Sequence, residues 1–252
     1  MTIDEFLKEA HQGVPEAQYV VALCFANGWG VEADKTVSER WLQKSAERGY
    51  AASQYELASL LCEKGEELAI EAIDWLRKSA VQGFPLGEYL YSLYCESGIG
   101  MTPDMVDSFR FSLLAAQHGY WPAMRRTASM LEEGVGVTRD SEQAFYWYRK
   151  AAELGDADAT ANVGRMYANG IGVERNNAMA IEWYKKGQER ESPWALYALS
   201  SVYRFGQLGQ SVDVEKADEL ATEAEELLRK RADRGSSHAA LGVEPRVYLG
   251  RQ

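Results

Sequence analysis

Three histidines are the residues of this 252-residue chain best suited to holding a metal ion. They lie far apart in the sequence, and they form neither a His-x-x-x-His pair nor a cysteine–histidine cluster with the spacing of a zinc site. They are His11, His118 and His238. The sequence therefore predicts no metal site and no bound cofactor.

Three cysteines are the candidate nucleophiles, and they fall within stretches of helical character at Cys24, Cys62 and Cys95. An odd number without a close pair argues against a disulfide framework. Because a free cysteine behaves as a small buried hydrophobe, we expect these residues to pack in a core. They do not indicate a catalytic thiol.

Glycine pairs of the type Gly-x-Gly could cradle a phosphate, but none extends to Gly-x-Gly-x-x-Gly and none follows a strand. Their first glycines, Gly98, Gly134 and Gly170, recur every 36 residues. Recurrence at a fixed period makes them turns of a structural repeat. The sequence therefore predicts no phosphate loop and no catalytic site.

The charge balance narrows the class of partner. The chain has 38 Asp and Glu against 27 Lys and Arg, a net charge of −11. Phosphate binding needs a basic surface, so nucleic acid is excluded as a partner. An acidic surface attracts a basic protein. The alternative is that the acidity only keeps the chain soluble.

The first residues, Met1 to Glu9, have no basic region followed by an apolar stretch, so they predict a capped helix and not a signal peptide. No segment has the ~18 uninterrupted apolar residues that membrane insertion requires. We expect a cytoplasmic protein. The sequence does not determine its oligomeric state.

A repeat of 34 to 36 residues organises the chain, and it is marked by Gly49, Gly83, Gly119 and Gly155. Each unit begins with a helix of three to four turns. Five positions after the aligned start, a small residue allows close helix packing. These residues are Ala22, Ala58, Ser92, Ala128, Gly164 and Ser200.

A glycine-rich turn ends the first helix of most units, for example Asn169-Gly170-Ile171-Gly172-Val173. A capping aspartate or asparagine then precedes a second helix. The caps are Asp34, Asp104, Asp140, Asn176 and Asp213. The second helix carries an aromatic residue at a fixed place. These residues are Trp41, Trp75, Phe111, Trp147 and Trp183.

These columns together resemble the Sel-1-like repeat family, a relative of the tetratricopeptide repeats. The clearest copy is Ala144-Phe145-Tyr146-Trp147-Tyr148-Arg149-Lys150-Ala151-Ala152. The resemblance implies an all-α, right-handed α-solenoid of about six antiparallel helix hairpins. It also implies a concave face, lined by the first helices, that binds protein and performs no catalysis.

On this basis residues 1–235 form one solenoid domain and 236–252 form a tail without helical period. The repeats span about 13–48, 49–82, 83–118, 119–154, 155–191 and 192–230. The second repeat lacks the glycine turn, and the sixth replaces the aromatic residue with Leu220 before an acidic helix. A polar last helix is typical of a capping repeat.

The fourth, seventh and eleventh aligned positions of the first helices vary between repeats, unlike the packing columns. Residue types that vary freely at these positions indicate a surface that is not needed for packing. The alternative is that the positions vary only because exposed residues change readily. The predicted protein-binding residues are Val20, Leu23, Asn27, Glu56, Ser59, Glu63, Leu90, Leu93, Ser97, Arg126, Ser129, Glu133, Asn162, Arg165 and Asn169. Replacing Arg126 and Arg165 by glutamate is expected to weaken binding without lowering the melting temperature.

Three tryptophans, Trp29, Trp121 and Trp194, are expected in turns, where one of them could anchor a partner. The function expected from these observations is inhibitory binding, as by the immunity protein of a bacterial toxin system. An adaptor that assembles signalling or envelope machinery fits the same fold. An enzyme is the third hypothesis, and no converging acid, base or metal site supports it.

Overall fold

The computed structural model describes residues 2–65 and 68–240. These residues form thirteen α-helices and contain no strand. They fall into two compact units, Met1–Tyr120 and Trp121–Gln252, which we call the N-terminal and C-terminal units. The predicted all-α class is confirmed. The single continuous domain over residues 1–235 stays a prediction.

The N-terminal unit contains three antiparallel hairpins preceded by one additional helix, α1. The hairpins pair α2 with α3, α4 with α5 and α6 with α7. The helices are α1 Ile3–His11, α2 Pro15–Asn27, α3 Lys35–Glu47, α4 Ala51–Lys64, α5 Ala69–Val81, α6 Pro85–Ser97 and α7 Met105–Gln117.

The C-terminal unit contains three further hairpins, which pair α8 with α9, α10 with α11 and α12 with α13. Its helices are α8 Trp121–Glu133, α9 Ser141–Glu153, α10 Ala157–Asn169, α11 Asn177–Glu189, α12 Pro193–Phe205 and α13 Val214–Ala240. We call the first helix of each hairpin its A helix and the second its B helix.

Side-chain caps start the helices where the sequence places them. Thr2 and Glu5 form a reciprocal capping box at α1, which confirms the predicted helix start. The predicted aspartate and asparagine caps all accept backbone N–H groups of the following B helices. These contacts are made by Asp34, Asp104, Asp140, Asn176 and Asp213.

Glycine ends the A helices because the chain there turns through the left-handed conformation. Gly170, for example, has φ +68° and ends α10. Gly172 follows with φ +65°, and a Cβ atom there would collide with the Ser141 carbonyl oxygen at the start of α9. The second glycine of the pair thus lets the turn of one repeat lie directly against the preceding repeat.

Small residues bring the helices of each unit close together. Ala58, Ser92 and Ala128 are fully buried in the A helices. Gly164 holds the same place in α10, where a Cβ atom would lie 2.6 Å from the Tyr184 ring. The predicted close-packing column is therefore confirmed, since a larger residue there would push the paired B helix away.

The second repeat departs from the others as predicted, whereas the boundary predicted for the C-terminal tail is corrected. Gly65 ends α4 with φ +143°, outside the left-handed helical region that the other A-helix glycines adopt. The acidic last helix α13 runs to Ala240, so residues 236–240 are helical and the prediction of a tail beginning at 236 is wrong for them. Residues 241–252 of that tail lie outside the described residues.

No helix in the described part of the chain is long and apolar enough to cross a membrane.

Candidate protein-interaction faces

The predicted binding residues lie on one face of the A helices, which we call the A-helix face. The fourth and seventh positions are half-buried, whereas the eleventh is exposed, in every repeat from the first to the fifth. In α2, for example, Val20 and Leu23 are half-buried and Asn27 is exposed. A partner can therefore reach this face in each unit. No observation shows that one does, so the binding residues stay a prediction.

In the N-terminal unit, aromatic pairs stand beside this face. The third aligned residue of each A helix contacts the residue that precedes the next A helix. The ring centroids are 5.1 to 5.7 Å apart in Tyr19–Tyr50, Tyr55–Phe84 and Tyr89–Tyr120. Tilted rings at this separation stabilise the contact beyond their buried area. Together with half-buried Leu90 and Leu93, they add apolar and aromatic groups to a face that also carries half-buried Glu56 and exposed Glu63.

Two of these tyrosines, Tyr19 and Tyr120, have hydroxyls that remain protonated at neutral pH. Burial, followed by the charge of the nearby Glu56 carboxylate, raises the pKa of Tyr19 to about 12. Burial also raises the pKa of Tyr120. Both hydroxyls therefore remain hydrogen-bond donors.

In the C-terminal unit, an ion pair occupies the place of an aromatic pair. Arg125 stands at the third aligned position of α8, and its Nε donates to Asp156 Oδ2 at 2.9 Å. Asp156 is 4% exposed and also accepts the N–H groups of Asp158 and Ala159 at the start of α10. The carboxylate thus caps a helix and joins two repeats at once.

A second cross-repeat ion pair lies on the predicted face itself. The Arg165 guanidinium donates to both carboxylate oxygens of Glu132, at 2.8 and 2.7 Å. These hydrogen bonds raise the pKa of Arg165. Burial, followed by the Glu132 charge, raises the pKa of the neighbouring Tyr148 to about 12. The sequence identified Arg165 but neither Glu132 nor Tyr148.

This geometry bears on one expectation. Replacement of both Arg126 and Arg165 by glutamate without a lower melting temperature stays a prediction, but Arg165 is the bidentate partner of Glu132, which argues against it. A glutamate at 165 would place two carboxylates together across two repeats. Arg126, the other residue of that predicted pair, is half-buried in α8.

The tryptophan placement also differs from expectation. Trp29 lies in the turn after α2 and is 60% exposed, as predicted. Trp121 is the first residue of α8 and Trp194 the second of α12, so both belong to helices and not to turns. Trp194 is 54% exposed whereas Trp121 is half-buried. Trp29 and Trp194 are therefore the accessible candidates for an anchor.

The cysteines are free in the structure. Cys24 and Cys95 are buried, which confirms the predicted core packing. Burial raises the pKa of Cys95 to about 11, so its thiol stays protonated and weakly nucleophilic. Cys62 is half-buried, with its sulfur 2.8 Å from the Tyr94 hydroxyl.

His118 and Glu88 form a pair that the sequence did not predict. Nδ1 of His118 lies 2.8 Å from Oε2 of Glu88, which is 1% exposed. Burial raises the pKa of Glu88, and the contact with His118 opposes that rise. Within the described ranges, no group of three or more His, Cys, Asp or Glu side chains could hold a metal ion.

The family model described as Sel1 repeat matches most of the chain, at residues 15–50, 51–84, 85–120, 121–156, 157–187 and 195–236. The chain belongs to the Sel1 repeat family. Sel1 repeats form protein-interaction modules, and this Sel1 repeat chain has the helical hairpins of the family. No curated protein sequence matches it.

Solved structures agree with this assignment. The chain is similar to c5321, described as a protective antigen of uropathogenic Escherichia coli with an SLR fold, with 27% identity and a TM-score of 0.75. The match covers 94% of this chain and 57% of that antigen, so the chain spans little over half of its length. It is also similar to a Sel1 repeat protein from Oxalobacter formigenes, with 29% identity, a TM-score of 0.68 and coverage of 84% and 86%.

A third solved structure, immunity protein PA5088 from Pseudomonas aeruginosa, is 19% identical with a TM-score of 0.48. That match covers 85% of this chain and 82% of PA5088.

Proposed function

We propose that this Sel1 repeat chain is a non-catalytic inhibitor that binds a basic protein, as the immunity protein of a bacterial toxin system does. The A-helix face carries the proposal. It is reachable in each repeat, and its residues differ between repeats while the close-packing column stays small and buried. The residues of such a face can change to fit a partner without disturbing the packing of the helices.

The charge distribution supports a basic partner. The net charge is −11, and α13 exposes Glu215, Glu219, Glu223 and Glu226 to solvent. Opposite potentials accelerate encounter, and this acceleration falls steeply with ionic strength. An inhibitor that must capture a toxin quickly benefits from this steering. We place the complex in the cytoplasm.

The experiment begins with capture of partners from a lysate of the source organism on the immobilised chain. The captured protein is then purified, its affinity is measured at low and high salt, and it is expressed with and without this chain. We expect one basic protein bound in equal amounts, with salt-sensitive affinity and a toxicity that the chain suppresses. A partner that stays active and non-toxic when bound contradicts the inhibitor proposal.

An adaptor is the second candidate, and exposed apolar residues at the turns favour it. In the C-terminal unit, Phe205, Val212 and Val214 are each more than half exposed around the turn between α12 and α13. Exposed apolar side chains grouped at one turn are typical of a second contact surface. Simultaneous capture of two different proteins, one of them lost on replacing Phe205 by serine, would support the adaptor.

A further inference from the structure

Three equivalent side chains in the N-terminal unit are buried polar groups, but only two of them are satisfied. Gln18, Gln54 and Glu88 occupy the second aligned position of their A helices and are at most 4% exposed. In the second repeat, Gln82 Nε2 donates to Gln54 Oε1 at 2.7 Å. In the third, His118 contacts Glu88. In both cases the partner is the C-cap residue, which directly follows the B helix.

The first repeat lacks the equivalent contact to its buried side chain. Gln18 Nε2 donates to the Ala10 carbonyl oxygen at 3.0 Å, but Gln18 Oε1 has no hydrogen-bond partner. Arg48 is the C-cap residue of α3 and so holds the place of Gln82 and His118. Its guanidinium lies instead against Gly13, where a Cβ atom would be 2.7 Å from Arg48 Cζ. A buried acceptor without a donor is unfavourable, so a hydrogen-bond donor that reached this oxygen would be stabilising.

A cavity of about 390 Å³, lined in part by Gln18, lies between α1, α2 and α3. Its walls include Gln18, Trp41, Lys44, Glu47 and Arg48. Lys44 Nζ lies 4.4 Å from the centre of the Trp41 ring, so one cation is held against an aromatic wall. The volume is within the range of small-molecule sites, which is ~300–1,000 Å³.

The lining groups define the ligand by their chemistry. Lys44 and Arg48 favour an anionic group, whereas Gln18 Oε1 requires a hydrogen-bond donor, such as an N–H group. Glu47 also faces the cavity and accepts a hydrogen bond from Gln43 at 2.7 Å. A simple anion would satisfy the two cations but would leave the Gln18 oxygen unpartnered and would be repelled by Glu47. A carboxylate with a nitrogen on the adjacent carbon meets the donors and the acceptor together.

We propose that this cavity binds an α-carboxylate whose neighbouring N–H donates to Gln18 Oε1. Two sources offer that chemistry. A free amino acid presents an ammonium group, which also pairs with Glu47, and the last residue of a protein chain presents an amide N–H. The site goes beyond the proposed function, since it uses none of the residues of the A-helix face and either proposal can fail alone.

The test is a titration of the full chain, followed by NMR at the Gln18 side-chain amide and the Trp41 indole N–H. The probes are free alanine, N-acetyl-alanyl-alanine and the amidated form of that dipeptide. Saturable shifts at millimolar concentration are expected for the ligands with a carboxylate and not for the amide. Preference for free alanine assigns the amino-acid source, and preference for the acetylated dipeptide assigns a chain terminus.

Two variants and a matched control test the residues. Lys44→Gln and Arg48→Gln are each expected to weaken binding at least tenfold. A glutamine at 48 is also expected to bond Gln18 as Gln82 bonds Gln54, which closes the cavity and leaves the melting temperature unchanged or higher. The control is Lys78→Gln, because Lys78 packs 3.9 Å from the centre of the Trp75 ring in the repeat where the acceptor is already satisfied.

Three outcomes overturn the proposal. The first is no saturable shift with either carboxylate ligand. The second is an equal response to the amidated dipeptide. The third is an equal loss of affinity in Lys78→Gln and Lys44→Gln, which would mean that the carboxylate binds surface lysines generally.

Discussion

Arg125 and Asp156 form an ion pair at two positions that the N-terminal unit fills with aromatic rings. The Arg125 Nε to Asp156 Oδ2 distance is 2.9 Å, and the residues are 31 positions apart, as Tyr19 and Tyr50 are. The repeat therefore keeps one contact between successive A helices while its chemistry changes from stacking to charge. Both the aromatic pair and the ion pair satisfy their two residues. A pair that combines an aromatic residue at one position with a charged residue at the other should therefore be unfavourable.

The two members of this pair should be energetically coupled. Arg125→Tyr is expected to lower the free energy of unfolding by about 1 kcal/mol, because Asp156 loses a partner but keeps its two backbone N–H donors. Asp156→Tyr should cost more, since it removes the cap of α10 as well. The double variant recreates the Tyr19–Tyr50 arrangement, so its loss should be smaller than the sum by about 1 kcal/mol. Urea denaturation measures all three, and additive losses would contradict the coupling.

Arg165 should be a structural residue as well as a surface one. Replacing it by methionine leaves Glu132, whose side chain is 14% exposed, without its bidentate partner. We expect the free energy of unfolding to fall by about 1–3 kcal/mol, and to fall further in Arg165→Glu. Arg175→Glu is the matched control, because Arg175 is exposed and its guanidinium donates to the Asn177 side chain at 3.3 Å rather than to a carboxylate. Equal melting temperatures for Arg165→Glu and Arg175→Glu would show that the Glu132 contact adds nothing.

Local features of the fold were predictable from the sequence, whereas contacts across repeats were not. The caps at Asp34 and Asp140 and the turn at Gly170 depend on a few adjacent residues, so the motif determines the structure there. Arg165 reaches Glu132 across 33 residues. To find that partner from the sequence, one must know how far neighbouring A helices are shifted relative to each other. The aligned glycines do not give this shift.

The sequence contained one usable signal for the missed pairs. Tyrosines and a phenylalanine recur at the third aligned position and just before the next A helix, as in Tyr55 and Phe84. Opposite charges at the same two places, Arg125 and Asp156, could have been read as a substitute for the aromatic pair. The unpartnered Gln18 oxygen had no such signal, because it depends on where the Arg48 side chain lies.

Glu88 should make stability depend on pH. Burial raises its pKa above the ordinary 4.5, so the folded state binds a proton more tightly than the unfolded state. Its contribution to stability is therefore largest at acid pH and decreases as pH rises from about 4.5 through the folded-state pKa. Glu88→Gln has no such charge, and its amide can donate to the Ala80 carbonyl as Gln54 does to that of Ala46.

The expected result is that Glu88→Gln is more stable than the parent by about 1 kcal/mol at pH 8, with the difference shrinking toward pH 4.5. Thermal unfolding across this pH range provides the measurement. The converse variant Gln54→Glu, in the second repeat, should lose stability as pH rises. A loss in Glu88→Gln at every pH would mean that the His118 contact outweighs the cost of burying the carboxylate.

The two glycines of one turn should differ in how strictly they are required. Gly170→Ala suffers mainly from its positive φ, because the nearest side-chain atom, Arg175 Cβ, would lie 3.4 Å from the new Cβ. We expect a loss of about 1–2 kcal/mol from that strain. Gly172→Ala has the same strain and also collides with the Ser141 carbonyl, so it should lose more. Denaturation midpoints compare the stabilities of the two variants. Equal losses of stability would show that the turn rearranges to avoid the collision with the Ser141 carbonyl.

The A-helix face should respond to charge reversal more than other exposed surfaces do. Glu63 is the exposed eleventh position of the second repeat, while Glu71 is exposed on the B helix α5 of the same hairpin. Glu63→Arg and Glu71→Arg change the net charge equally, so long-range attraction of a basic partner weakens equally in both. Only Glu63→Arg should add a local repulsion, raising Kd about tenfold at high salt, where long-range terms are screened. Surface plasmon resonance with the captured partner measures the Kd of both variants. Equal Kd values at high salt would show that the binding site does not include this face.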